Sequence, residues 1–299
     1  MTKDTQPKKQ KHTYSIISCY HDPKKYERLC QSLEQTTENY QLIGIDNTRN
    51  DYSLTAAYNK GASLATGNIL CFIHEDVTIL TPQWNIAIAE FLDMHPEAGF
   101  IGVAGGRMAS DTPCNWTSYQ PQTHLIHCGK MHGSLKGKES EVVLLDGVFL
   151  CCKASLLQEI SFDEKLKGFH GYDYDICLQA VQTGFKNYVT DRVLLTHNSR
   201  GNRNRPYAEA RLHVFRKHRN LLPLFASDIP AEKREEILHR VSYKQMKRTV
   251  RLLLRNNYTM EEVANFMQEW KKYAKGLMKA SPKLYLTLQK LIVAFIKKT

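Results

Sequence analysis

The segment Asn68–Asp76, NILCFIHED, runs five consecutive apolar residues straight into His74, Glu75 and Asp76. A run that short reads as a buried strand, and one that stops at polar groups delivers them to the edge of an open sheet, where such folds bind ligands. Taken alone, an acidic strand end is equally a solubilising feature. Its neighbours repeat the pattern, however. Tyr14–Cys19 is a strand candidate followed by polar Tyr20-His21-Asp22-Pro23 and a helical stretch over 24–35, and Tyr40–Ile45 is a second strand ending in Asp46-Asn47-Thr48. Residues 53–64 again have helical character. Strand, helix, strand, helix, strand predicts an α/β fold with a mostly parallel central sheet, helices on both faces and polar strand ends along one edge.

Further along, a helix is predicted over 83–94 and an apolar strand over 100–104. Residues 107–140 are rich in Gly, His, Ser, Thr and Pro without a period, which reads as a long functional or mobile loop. Val142–Cys152 returns to the sheet, interrupted by Asp146-Gly147. A helix over 173–183 and strands over 186–189 and 193–196 follow, the last ending at His197.

Charge divides the chain. Residues 1–199 hold 18 Lys+Arg against 22 Asp+Glu, a net of −4, and residues 200–299 hold 23 against 8, a net of +15. The positive field therefore stands apart from the acidic strand ends, which argues against a nucleic-acid partner. Within 232–255, Arg240, Lys244, Lys247, Arg248, Arg251 and Arg255 form one cationic stripe on a predicted helix. That stripe is either a solvated basic face or a surface for an anionic membrane. The eight cysteines include no CxxC pair and lie largely in apolar runs, so buried free thiols and a reducing compartment are expected. Residues 1–12 read as a disordered polar tail with no signal peptide. Leu284–Ile296 is apolar but broken by Lys290 and short of the roughly 20 residues that span a bilayer. The expected location is cytoplasmic, peripheral on the inner membrane face if the stripe binds lipid. The expected organisation is tail 1–12, catalytic domain 13–219 and basic helical extension 220–299.

The ordered motifs YSIISCYHD, IGIDNT, AAYNKGASLATGNILCFIHEDV, LLDGVFLCCKASLL with FDE, GYDYDICLQA and HNSRG resemble the family-two glycosyltransferases over about residues 13–201. The resemblance is to the branch in which a His opens the acidic triplet. It implies a Rossmann-like GT-A fold and an inverting transfer from a nucleotide-diphosphate sugar, a UDP-sugar foremost, to a glycan, lipid-linked or protein acceptor. It also implies Mn²⁺ or Mg²⁺, because the diphosphate gains charge as it leaves.

By that resemblance Asp76 takes the second acidic position of the DxD motif and binds metal. His74 takes the first and binds metal or ribose, and His197 completes the metal site. Asp173 is the base. Tyr172, where an acidic residue is usual, and Asp175 belong to the acceptor side, although residues two apart on a helix cannot share a face. Asp46 and Asp22 serve the nucleotide, Asn59 and Lys60 the diphosphate, and Glu75 the donor. Asp146 interrupts an apolar run where an unpaired carboxylate would be costly, and is assigned to the sugar or acceptor pocket. The departures at His74 and Tyr172 keep a second reading open, a non-catalytic relative that binds a sugar nucleotide or glycan.

Overall fold

In the computed structural model, residues 12–274 other than 136 and 200 are described, so residues 1–11 of the tail and the Leu284–Ile296 segment lie outside the described residues. The first half follows the predicted alternation. Strand β1 (Tyr14–Tyr20) leads through helix α1 (Pro23–Thr36) to β2 (Tyr40–Asp46), and α2 (Leu54–Leu64) leads to β3 (Ile69–Ile73). Both β2 and β3 pair with β1 in parallel. Asp22 caps α1 by accepting the Lys24 and Lys25 amides, with Pro23 at the first helical turn. Gly61 lets α2 close on the sheet, since a Cβ there would stand 2.3 Å from Ile17 Cγ2.

Next come β4 (Val77–Ile79), α3 (Trp84–Met94) and β5 (Ala98–Gly102), and then a region that corrects the sequence reading. Residues 107–140 are not a patternless loop. After β6 (Ala104–Gly106) they form β7 (Met108–Ala109), β8 (Pro121–His127), β9 (Lys130–Gly133) and the start of β10 (Glu139–Val142). The β8–β9 hairpin closes through Cys128-Gly129, both at positive φ. That is the geometry of a two-residue hairpin turn, without the Asn or Asp that usually announces it.

The chain continues through β11 (Leu144–Leu145), β12 (Phe149–Lys153), α4 (Tyr172–Gln182), β13 (Lys186–Thr190) and β14 (Leu195–His197). The main sheet has seven strands in the order β10-β13-β5-β12-β3-β1-β2. It is mixed rather than mostly parallel, because β12 pairs antiparallel with both β3 and β5. No α-helix lies between β5 and β12. The chain reaches the carboxyl edge of β3 at Asp146 and turns straight back down the sheet, which puts Asp146 and Gly147 beside the β3 exit. A second, smaller sheet contains β11, β6, β8, β14 and β4.

Beyond it stand α5 (Arg205–His218), the short β15 (Leu224–Phe225), α6 (Ala231–Arg255) and α7 (Met260–Tyr273). No break in packing marks residue 220. One buried cluster joins Ile17 and Phe72 of the sheet to Val250, Phe266 and Trp270. The two long helices also hold the segment after β7: Trp270 Nε1 donates to Asp111 O at 2.8 Å, Ser242 Oγ donates to the Asp111 carboxylate, and Thr249 Oγ1 donates to Pro113 O at 3.1 Å. All eight cysteines are free. Among the described residues no helix is long and apolar enough to cross a membrane.

Candidate active site

The β3 exit turns tightly into β4, with the Val77 amide donating to His74 O at 3.3 Å. Because β14 pairs antiparallel with β4 and sets His197 opposite Val77, its imidazole arrives one residue from Asp76. His197 Nε2 stands 3.3 Å from Asp76 Oδ1, and His74, Asp76 and His197 each offer a ligand atom within 4.8 Å of the others. The 3.3 Å contact is not aligned as a hydrogen bond, so His197 Nε2 is a buried polar atom without a hydrogen-bond partner. Burial, then the neighbouring His197, holds the His74 imidazole below its usual range. Burial alone would raise the Asp76 carboxyl, but His197 and His74 outweigh it and hold it below its ordinary value. Two imidazoles and a carboxylate, with the buried His197 ring nitrogen free of a hydrogen bond, are the donor set of a divalent cation site.

Tyr172 takes a role the sequence did not suggest. Its hydroxyl lies 2.6 Å from His74 Nε2, so it braces that ring rather than lining an acceptor pocket. Gly147 makes the approach feasible, since a Cβ there would stand 2.0 Å from the Tyr172 hydroxyl. Glu75 is taken up by backbone along the same edge. Its Oε2 accepts the His21 and Asp22 amides at 2.6 and 2.9 Å and ties β3 to the β1–α1 turn.

Beside this cluster lie two carboxylates. Asp146 accepts the Val148 amide at 3.1 Å and Trp116 Nε1 at 2.9 Å, and Asp173 accepts the Gly147 amide at 3.2 Å. Burial, then the neighbouring charge of Asp146, pushes the Asp173 carboxyl up to about 7. Asp175, expected on the acceptor side, instead faces α5. It is fully buried and bonded to Lys217 Nζ at 2.8 Å, His218 Nε2 at 2.8 Å and Gln179 Nε2 at 2.7 Å. Two residues along a helix is a turn of about 200°, which sends the two aspartates to opposite sides.

On the donor side, Asp46 is exposed at the β2 exit and accepts the Thr48 amide and hydroxyl at 2.9 and 2.8 Å, which hold its carboxyl below the usual range. Asp22 is committed to the α1 cap. The Asn59 amide group bonds Phe162 through both its oxygen and its nitrogen and also reaches Glu164, so it fastens the 162–164 segment rather than facing a ligand. Lys60 Nζ meets the Tyr52 hydroxyl at 2.7 Å. A groove of about 670 Å³ lies between 165–168, α5 and α7 and contains none of these groups. Trp116 was missed because nothing in 107–140 had a readable period. A lone half-buried Trp in a polar segment was the available signal.

A three-parallel-strand start, a β12 returning at the β3 exit and a His/Asp/His cluster on that edge define a GT-A glycosyltransferase fold. The chain belongs to the glycosyltransferase-like family, whose sequence pattern matches residues 15–218. A protein of Fuscovulum blasticum described as "ATP synthase subunits region ORF 6" is 24% identical over 220 residues, which are 70% of this chain and 85% of that one. Among solved structures, S. aureus TarS 1-349 with UDP-GlcNAc is similar at a TM-score of 0.58 and 12% identity, over 89% of this chain and 82% of that one. TarS with UDP gives 0.57 and 13%, over 91% and 86%. GalNAc-T7 with UDP, GalNAc and Mn²⁺ gives 0.53 and 14%, over 70% of this chain. The chain spans about half the length of that structure, 48%. At these identities the likeness is one of fold.

Proposed function

We propose that the protein transfers a sugar from a nucleotide-diphosphate sugar, with a UDP-sugar as the leading donor, to an acceptor hydroxyl with inversion at the anomeric carbon. The observation that carries this is the placement of Asp173, which meets no cationic side chain among the described residues, on the Gly147 amide beside the edge that holds His74, Asp76 and His197. His74, Asp76 and His197 would hold a divalent cation, and the two imidazoles favour Mn²⁺ over Mg²⁺. Bound there, the cation would offset the charge gathering on the diphosphate as it leaves.

The rest falls to the chain's own groups. Asp173 accepts the proton of the acceptor hydroxyl while that oxygen attacks the anomeric carbon from the face opposite the diphosphate. One displacement with one base inverts the centre. Asp146, fixed by Trp116 and the Val148 amide, orients the sugar hydroxyls, and the exposed Asp46 meets the nucleotide base. The acceptor belongs to the class of glycan, lipid-linked or protein hydroxyls, in glycan or cell-envelope polysaccharide synthesis.

Calorimetry with UDP and UDP-sugars, with and without Mn²⁺, tests the reading together with a turnover assay. Binding that needs the cation and is lost in His197→Ala is expected, along with transfer or slow donor hydrolysis. Binding without any turnover across broad donor and acceptor panels would leave a non-catalytic relative. No binding of any nucleotide sugar would refute the donor site itself.

A further inference from the structure

The structure assigns the outer face of α6 to the surface of an anionic lipid bilayer. Arg240, Lys244, Arg248, Arg251 and Arg255 are all exposed. At about 100° per residue they fall within an arc of about 80°, along about 22 Å of helix. None of the five makes an ion pair among the described residues, whereas most basic side chains on α5 and at its C-terminal cap are matched. Arg205 meets Glu209, Arg216 and Arg219 meet Glu269, and Lys217 meets Asp163 and Asp175. The acids of α6, Glu232, Glu235 and Glu236, all precede the stripe. Like charges four residues apart repel, and an anionic partner relieves that repulsion.

The shape of the stripe selects the partner. The opposite face of α6, with Val241, Met246, Val250 and Leu253, is buried in the core, so the helix cannot sink its apolar side into lipid and acts through charge alone. The stripe is a convex ridge. The large groove takes Leu253 alone from α6 and mixes Lys165, Lys167 and Arg216 with Glu209 and Glu262. A ridge meets a plane, while a single-stranded polyanion calls for a groove with stacking rings. The aromatic nearest the stripe, Tyr243, is already covered by Lys247 Nζ, 4.3 Å from its ring centroid.

The test is co-sedimentation of the full chain with phosphatidylcholine vesicles that contain or lack phosphatidylglycerol, with no sugar donor present, so that its failure stands apart from any failure of the transfer reading. Binding only to the anionic vesicles is expected, released by salt, and weakened about 100-fold or more in Arg240→Glu/Lys244→Glu/Arg248→Glu/Arg251→Glu. The four-Gln version, which keeps the exposed stems, should fall between. Circular dichroism and a melting curve check that both variants fold. Equal vesicle binding by the variants and the native chain would overturn the assignment. So would complete loss of binding on ending the chain at Ala274 with α6 intact, or preference for duplex DNA over vesicles at equal phosphate.

Discussion

Asp173 and Asp175 stand two residues apart on α4, and the two regions they face bury a carboxylate in opposite ways. At the sheet edge Asp173 receives one amide from Gly147 and has Asp146, another acid, as its charged neighbour. At the α4–α5 joint Asp175 is gripped by Lys217, His218 and Gln179, while Asp163 nearby takes Lys217 and His213. The first arrangement is poor for stability and keeps a proton acceptor available. The second satisfies every oxygen and leaves nothing for chemistry. An acidic pair in sequence is thus no guide to an acidic pair in function.

Replacing Asp173 by Asn should break the first region only. Transfer should fall by about 10²–10⁴-fold while nucleotide binding and melting temperature hold or improve, measured by turnover, calorimetry and a thermal scan. Asp175→Ala should do the reverse, costing about 3–5 kcal/mol in denaturant unfolding because it strands the buried His218 and takes one of two carboxylates from Lys217. If Asp175→Ala folds normally and only loses activity, the contrast between the two regions is wrong. Tyr172→Phe sharpens the site side: without the hydroxyl on His74, Mn²⁺ affinity should weaken about 10- to 100-fold, read by metal titration, with stability little changed.

The smallest effects are in pH, and they have opposite signs. Asp173, raised from 3.8 to about 7, favours the fold while protonated, so its contribution is whole below 3.8 and is lost as pH rises through about 7. Over the same range transfer should rise as the base ionises. Asp163 is lowered from 3.8 to about 2, against its burial, by Lys217, the Lys165 amide and His213, so its contribution is present above 3.8 and disappears as pH falls through about 2. Denaturant midpoints across pH in chelator, comparing Asp173→Asn and Asp163→Asn with the native chain, should show the two slopes separately.

What the sequence made legible follows from which signals are local. The run Ile69–Ile73 into His74-Glu75-Asp76 could be read because apolar periodicity and a polar stop lie within nine residues. The parallel start and α1 and α2 followed from the same grammar. The roles of Asn59, Glu75 and Tyr172 could not be read, since each is set by a partner 54 to 105 residues away: Glu75 by His21, Tyr172 by His74, Asn59 by Phe162 and Glu164. The direction of β12 was hidden for a related reason, because a strand's sense depends on where the chain enters the sheet. The second sheet was hidden by an unusual turn, Cys128-Gly129, and by strands as short as two residues.

The tie from Trp270 to Asp111 has a consequence in time. It spans 159 residues, and the segment it secures leads directly to Trp116, which orients Asp146. At about 5–20 residues per second, a ribosome takes about 8–30 s to travel from one partner to the other. Over the later part of that interval a nascent chain already owns His74, Asp76 and Asp173, yet the wall that fixes Asp146 has no anchor. The centre that the first strands begin is therefore completed by helices synthesised long after them.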